Sequence, residues 1–465
     1  MPNKPATVGE LRTSGYESRS VRDEMRENLV AKIRAGEDIF PAIMGFEDTV
    51  IPALENAILA SQDVIFLGER GQAKSRMIRS LVTLLDEEIP VLDGPEIPED
   101  PFNPISHEGI ELVADKGDEA PIRWMPREER YGEKLATPDI TIADLIGEVD
   151  PIKVAEGRYL SDEMTIHFGL VPRTNKGIFC INELPDLAER IQVGLLNIME
   201  ERDVQIRGFR VRLPLDIVVV ASANPEDYTN RGRIITPLKD RYGAQIRTHY
   251  PTELETEISI VRQEAVPVTA GDVSVSAPEY MEEIVAEITR LARRSPDVSQ
   301  RSGVSVRASI ASFETLNANA VRRAIRVGED RAVPRVTDLP HLIPALQGKL
   351  ELETVDEDKD DTVIEKLIQG AVAAVFNRRF NVVDLEELIE QFKAGISVEI
   401  GEDMPATAYA RLLTDVEGLR EALQPFDIGE DPALTASAVE FLLEGLHLNK
   451  RLNKDTVGGR IQYRG

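Results

Sequence analysis

A single cysteine, Cys180, and a single tryptophan, Trp124, stand in a chain of 465 residues. One thiol cannot close an intramolecular disulfide or build a cysteine-rich metal site. The five histidines, His107, His167, His249, His341 and His447, are scattered without HExxH or comparable spacing, which argues against a histidine-ligated metal. Positive charge is also short: 54 Lys and Arg against 82 Asp and Glu give a formal net charge of −28. Such a surface repels phosphate backbones at long range and disfavours nucleic acid as the main ligand, although a local basic patch lining a pore remains compatible with it. No segment approaches the roughly 18 uninterrupted apolar residues of a membrane helix. The opening MPNKPATVGELRTSGYES lacks the apolar core of a secretory signal. The expectation is a cytoplasmic, acidic protein without membrane association.

Apolar residues are plentiful at 42%, enough for ordinary cores, and the length suggests two to four domains. The most informative stretch is VIFLGERGQAKS at 64–75. Four apolar residues, Val64 to Leu67, suit a buried parallel strand, and Arg76 to Val82 continue with helical spacing. Between them, Gly68-Glu69-Arg70-Gly71-Gln72-Ala73-Lys74-Ser75 fits G-x-x-x-x-G-K-[ST] at every fixed position but one. In that pattern backbone N–H groups at a helix N-terminus surround phosphates, the lysine neutralises the terminal ones, and the adjacent hydroxyl ligates Mg²⁺. The departure is Ala73, where the pattern has glycine. A methyl group there either crowds the phosphate or is tolerated in a helical conformation, and the residues alone do not decide which.

Strand-like runs recur at Val64–Leu67, Val91–Leu92, Gly177–Ile181, Ile217–Ala221 and Gln245–Thr248, with helices between. Apolar strands alternating with helices predict an α/β fold, a parallel sheet covered on both faces. More than eighty residues separate the second and third runs, too many for a loop, and Ile140–Gly147 within them is expected to carry structure of its own. Beyond Pro251 the spacing becomes helical, as in Met281, Ile284, Val285, Ile288 and Leu291. The acidic run 351–361, ELETVDEDKDD, reads either as a boundary linker or as a solvated loop within one domain. Cys180, in a buried strand, is expected to be a core residue. Trp124, between Arg123 and Met125, reads equally as an exposed anchor or as a packed side chain.

The third run ends in Phe179-Cys180-Ile181-Asn182-Glu183. Nucleotide hydrolases of this type follow the apolar residues with Asp-Glu, the aspartate for the Mg²⁺ shell and the glutamate to polarise water. Glu183 is in place, but Asn182 stands where the aspartate belongs; an amide can bond a metal-bound water yet adds no charge beside the cation. The fourth run ends in Ala221-Ser222-Ala223-Asn224-Pro225, which puts a polar amide beside the terminal phosphate. Pro237–Gly243, PLKDRYG, then supplies Arg241 at a helix end just before the fifth strand.

Taken in order, these motifs resemble the AAA+ ATPases, and within them the helix-2-insert group that contains the magnesium-chelatase ATPase subunit and the MoxR-type ATPases. The resemblance covers about residues 38 to 330. It implies that Ile43 and Met44, in IFPAIMG, contact the adenine; that GERGQAKS is Walker A and FCINE Walker B; that Asn224 is sensor 1; that Arg241 is the arginine finger of a neighbouring subunit; and that Arg307, in SGVSVRA, is sensor 2 on a helical lid. Thr137–Gly147 with His167–Leu170 resembles the insertion in helix 2, and Asp203–Leu213 the hairpin before sensor 1. Together with the weak helical spacing of the polar segment 1–35 and the acidic run at 351–361, the resemblance gives the expected division: an arm or helix at 1–35, an α/β nucleotide-binding domain at 36–252 with its insertion at about 94–170, a helical lid at 253–350 and a C-terminal helical extension at 351–465.

The implied cofactors are ATP and Mg²⁺, with Ser75 and, through water, Asn182 at the metal. The implied assembly is a homo-oligomer, a hexameric ring that remodels a protein client, in this group commonly one with a von Willebrand A domain. Two alternatives stand beside it: the chelatase subunit itself, driving Mg²⁺ insertion into a porphyrin, and a nucleotide-binding scaffold that has lost hydrolysis, for which Asn182 is the main support. A DNA motor is disfavoured by the charge of −28. A sigma-54 transcription activator is disfavoured by the absence of a GAFTGA loop.

Overall fold

The computed structural model describes residues 4–149, 165–201, 204–206, 209–211, 213–224, 233–300, 302–353, 360–426 and 428–465. The first of its two units, Met1–His249, is built on a five-stranded parallel sheet. In spatial order the strands are Ala244–Arg247, Val64–Leu67, Ile217–Ala223, Gly177–Asn182 and Tyr131–Leu135. The register aligns Leu67 with Ala223 and with Arg247, Ile181 with Ala221, and Asn182 with Leu135. The carboxyl ends of all five strands therefore reach one edge, where ligands of open α/β sheets bind. Side chains alternate between two cores. Val64, Phe66, Ile178, Cys180, Val218 and Val220 face one, and Ile65, Phe179, Ile181, Val219 and Ala221 face the other.

Four of the five expected strands are in this sheet, and one is not. Val91–Leu92 belongs instead to Glu88–Leu92, an antiparallel partner of Ile122–Pro126. The edge strand beside Gly177–Asn182 is instead Tyr131–Leu135, inside the expected insertion. An edge strand has one covered flank, and YGEKL, with two charges and a glycine, has none of the apolar continuity used to recognise buried strands.

The expected arm at 1–35 holds two helices, Val8–Thr13 and Val21–Ala35. Ser20 caps the second by accepting from the Asp23 amide. Its Val21, Met25 and Leu29 pack in the same core as the Val64–Leu67 strand, so this segment is part of the first unit. Buried Arg130 donates to both carboxylate oxygens of buried Glu24, at 2.7 and 2.6 Å. Trp124 is a packed residue: its indole N–H donates to Pro5 O at 3.0 Å, and its ring joins a small core with Val8 and Leu11. Ile140–Gly147 carries the short helix Ile142–Leu145, closed by a reciprocal Thr141–Asp144 cap. Gly147–Val149 then pairs with Ile166–Phe168. Residues 150–164 of the expected insertion lie outside the described residues. The expected hairpin appears as Val204–Ile206 against Phe209–Val211, with 203, 207, 208 and 212 outside them.

The second unit, Tyr250–Gly465, is mainly helical. Helices Glu279–Ala292, Val306–Val327, Asp360–Arg379 and Pro432–Leu448 bury one continuous core, with Tyr280, Phe376 and Phe441 at its centre. Tyr280 and Phe441 stack with centroids 4.7 Å apart, and Phe376 meets Phe441 edge-on at 6.0 Å. Each such ring contributes roughly 1.5–3 kcal/mol by burial. A core shared between residues 280 and 463 leaves no separate unit on either side of the expected boundary at 350. The central part of the acidic run, 354–359, lies outside the described residues. Sequence periodicity also gave no sign of a three-stranded antiparallel sheet, Ser397–Ile400, Arg460–Arg464 and Asn453–Val457, with Arg460–Arg464 in the middle. Among the described residues no helix is long and apolar enough to cross a membrane.

Candidate functional site

The loop after the Val64–Leu67 strand turns directly into helix Lys74–Ser80. Its first glycine is required by space: a Cβ on Gly68 would stand 1.9 Å from Thr248 Oγ1 and 2.2 Å from Gln72 Oε1. Those two buried groups are bonded to each other at 2.6 Å and close the floor of the loop. The residue that replaces the pattern's glycine, Ala73, adopts φ 54° and ψ 12°, the left-handed region. The substitution is thus accommodated by backbone strain, about 1–2 kcal/mol for a residue with a Cβ. Ala73→Gly should raise stability by about 0.5–1 kcal/mol, the strain relieved less the entropy that glycine adds to the unfolded chain. Urea unfolding of the two proteins checks this, and a less stable variant would show that Ala73 is unstrained.

Lys74 is buried, and its ammonium points back into the loop. It donates to Gly68 O, to Glu69 O at 2.7 Å and to Asn224 Oδ1 at 2.7 Å. Asn224, at the end of the Ile217–Ala223 strand, in turn donates to Glu183 Oε2 at 2.8 Å. The three expected residues Lys74, Asn224 and Glu183 therefore form one chain of hydrogen bonds across three strand ends. Glu183 is also left-handed, at φ 57° and ψ 48°, a turn that swings its carboxylate away from the strand line. Its amide donates to Ser222 Oγ at 3.2 Å, and Ser222 donates to Asn182 Oδ1, also at 3.2 Å.

Asn182 is buried between a hydroxyl and a carboxylate: its carboxamide oxygen accepts from Ser222, while its amide nitrogen donates to Glu133 Oε1. Glu133 lies on the Tyr131–Leu135 strand and is gripped by Arg79, of the phosphate-loop helix, through two bonds of 2.9 Å. Tyr131 donates to it as well, at 3.0 Å. The Arg79 hydrogen bonds hold the Glu133 carboxyl below the usual range, against the opposing effect of its desolvation.

A cleft of about 420 Å³ opens beside the loop, lined by Leu67, Gly68, Glu69, Gln72, Lys239, Arg247 and Thr248. Two cations, Lys239 and Arg247, thus stand at a pocket in a chain of net charge −28. Arg70 is exposed on the loop and Ser75 in the first turn of the helix, and Gly71 takes φ 74°. Ile43 packs in the core with Phe46, Met44 is half-buried, and Arg76 reaches Ala42 O at 3.4 Å, so this segment lies against the phosphate-loop helix. Arg241 closes helix Thr236–Arg241 and pairs with Glu200 at 2.6 Å and Asp240 at 3.3 Å. Arg307 is exposed in the first turn of helix Val306–Val327, in the second unit. Cys180 is fully buried, and burial pushes its thiol up to about 12, which suits a core residue.

Sequence reasoning did not find Glu133, Arg79, Ser222, Lys239, Arg247 or Thr248. Ser222 and Thr248 sit at strand ends, where their positions were legible. Glu133 and Arg79 meet only because the unrecognised edge strand lies beside Asn182. Among the described residues no cluster of three or more His, Cys, Asp or Glu side chains could hold a metal by itself.

No protein-family model matches the chain. The magnesium-chelatase 38 kDa subunit of Rhodobacter capsulatus is 28% identical over 237 residues, which are 48% of this chain and 59% of that subunit. The magnesium-chelatase subunit ChlI of Nostoc sp. is 24% identical over 382 residues, 78% of this chain and 95% of its own length. Its counterpart from Synechocystis sp. is 27% identical over 385 residues, 77% and 99% of the two chains. Among solved structures, a chain in the complex of the BchI and BchD subunits of magnesium chelatase is 22% identical and covers 69% of this chain and 98% of its own, at a TM-score of 0.36. That score adds nothing to the sequence relation.

Proposed function

We infer that this chain, whose sequence and parallel-sheet fold resemble the AAA+ ATPases of the magnesium-chelatase and MoxR-type group, binds ATP with Mg²⁺ on Gly68–Ser75 and hydrolyses it in a homo-oligomeric ring that remodels a partner protein. The observation that carries this reading is the hydrogen-bonded series Lys74–Asn224–Glu183 at the carboxyl edge of the sheet. It sets a cation, an amide and a carboxylate, the three chemistries a terminal phosphate and its attacking water need, on one side of a loop whose first glycine is closely overhung by the Thr248 and Gln72 side chains.

The residues fit the cofactor. Lys74 supplies the countercharge to the β and γ phosphates, the loop amides surround them, and Ile43 and Met44 border the base. Ser75 offers its hydroxyl to the metal and Asn182 its amide oxygen to a metal-bound water. Mg²⁺, when bound, neutralises charge between the phosphates. Glu183 orients the attacking water, Asn224 holds Glu183 and senses the terminal phosphate, and Arg241 and Arg307 act as the finger and the second sensor. The ring is hexameric, the site of work cytoplasmic, and a von Willebrand A domain is the partner type that the resemblance suggests.

The second reading, a chelatase subunit coupling hydrolysis to Mg²⁺ insertion into a porphyrin, is supported by the sequence relatives, which are magnesium-chelatase subunits at 24–28% identity. The altered Asn182 favours the third, a scaffold without hydrolysis. Phosphate release by the wild type separates the last from the first two, and one substitution then tests the base. Glu183→Gln should keep ATP affinity within about two-fold and lower the hydrolysis rate on the order of 10²–10⁴-fold, the usual contribution of a general base. Phosphate release and ATP titration on the same preparations are the measurements. A wild-type chain that binds ATP and releases no phosphate would put the scaffold first.

A further inference from the structure

The phosphate-loop proteins that this chain resembles carry a carboxylate where Asn182 stands, and the structure holds a carboxylate one strand away. We propose that Glu133 acts as the positioning residue for Mg²⁺ at this site, orienting and polarising Asn182 and supplying the negative charge that the Gly177–Asn182 strand lacks. The proposal rests on the ATP and Mg²⁺ reading above and deepens it.

Three observations carry it. First, the strand register pairs Glu133 with Cys180 and Leu135 with Asn182, so Glu133 is two residues from the carboxyl end of the neighbouring strand, on the edge where the loop lies. Second, the contact is direct: Asn182 Nδ2 donates to Glu133 Oε1. A carboxamide whose N–H is held by a carboxylate has its oxygen both fixed in direction and made a stronger acceptor, as with the carboxylates behind metal ligands. The amide oxygen is held as well, accepting from Ser222 Oγ at 3.2 Å and from Cys180 Sγ at 3.7 Å. Third, Glu133 is tied to the phosphate-loop helix itself through two bonds from Arg79 and a further one from Tyr131. Part of its charge is thereby shared with Arg79, which is largely exposed.

The arrangement also explains why aspartate would be unwelcome at 182 in this chain. An aspartate there would set two carboxylates at hydrogen-bond distance, and one of them would have to be neutralised. The charge belongs on one strand or on the other.

The test is the Mg²⁺ dependence of ATP binding, measured on the full chain by calorimetry or with a fluorescent ATP analogue over a Mg²⁺ series and in chelator, so that no turnover is needed. Glu133→Gln should raise the Mg²⁺ concentration for half-maximal tightening by roughly 10-fold or more, the usual effect of losing an outer-shell partner, and leave binding in chelator unchanged. Arg79→Gln, which frees the same carboxylate, should lower it. Glu133→Gln with Asn182→Asp moves the charge rather than removing it and should return the value to within about three-fold of wild type. Opposite shifts from the two halves of one ion pair are not what a purely structural pair produces. Glu133→Gln indistinguishable from wild type, or both single variants shifting the same way, would overturn the proposal while leaving the ATP reading intact. ATP binding that ignores Mg²⁺ in the wild type would overturn it too. A wild type that binds no ATP at all would overturn both.

Discussion

Lys74→Ala should remove ATP binding, with no heat of titration at concentrations that saturate the wild type. The ammonium is buried and directed at the loop by its bonds to Gly68 O, Glu69 O and Asn224 Oδ1. When ATP is present those donors turn to phosphate oxygens. Hydrogen bonds to a charged group contribute about 1.5–3 kcal/mol each, so losing two weakens affinity on the order of 10²–10⁴-fold. The alanine variant also deprives two loop carbonyls and Asn224 of a donor, and loosening of the loop could imitate the loss of charge. Lys74→Met keeps the apolar stem and its packing while removing the ammonium and its three donated bonds, so a packing void left by the shorter side chain cannot account for its loss of binding. Both variants should fail to bind ATP, and both should retain the wild-type circular dichroism spectrum and unfold cooperatively. Unchanged affinity in either would remove the phosphate-loop reading altogether.

How far this site could be read in the residues follows from what each part depends on. The loop, its helix and the ends of the Val64–Leu67, Gly177–Asn182 and Ile217–Ala223 strands are contiguous in sequence, and their chemistry is written in adjacent positions. The bond from Lys74 to Asn224 spans 150 residues, yet it follows once the phosphate loop and Asn224 are placed just past the ends of neighbouring parallel strands. Glu133 is different. Its strand, YGEKL, falls within the expected insertion because an edge strand need not be apolar, and Val91–Leu92, which is apolar, pairs elsewhere. The contact that gives Glu133 its meaning is created by strand order alone. The same holds for the second unit: its helices were legible as amphipathic repeats, but that Tyr280 stacks on Phe441 and erases a boundary at 350 is a tertiary fact. Ala73 shows a third kind of limit. Its identity was plain, but only the left-handed backbone, φ 54°, shows that strain accommodates the methyl group.

Arg241→Ala should bind ATP nearly as the wild type does and hydrolyse it on the order of 10³–10⁵-fold more slowly, the usual contribution of an arginine finger. Within its own subunit the side chain is occupied at 2.6 Å by Glu200, a surface pair in which both partners are partly exposed. Exposed pairs of this kind contribute at most about 1 kcal/mol, so the guanidinium is easily drawn to a phosphate of higher charge. If the phosphate is a neighbour's, two defects on different subunits should complement. A Lys74→Ala subunit carries an intact finger and no usable loop, and an Arg241→Ala subunit carries the reverse. Mixed, they should recover part of the activity that neither has alone, and wild-type activity per subunit should rise with protein concentration as rings assemble. Glu200→Gln should leave hydrolysis equal or faster, since it releases the finger from its resting partner. A rate independent of concentration, with no recovery in mixtures, would mean that Arg241 serves its own subunit or only the fold, and that the chain works without a ring.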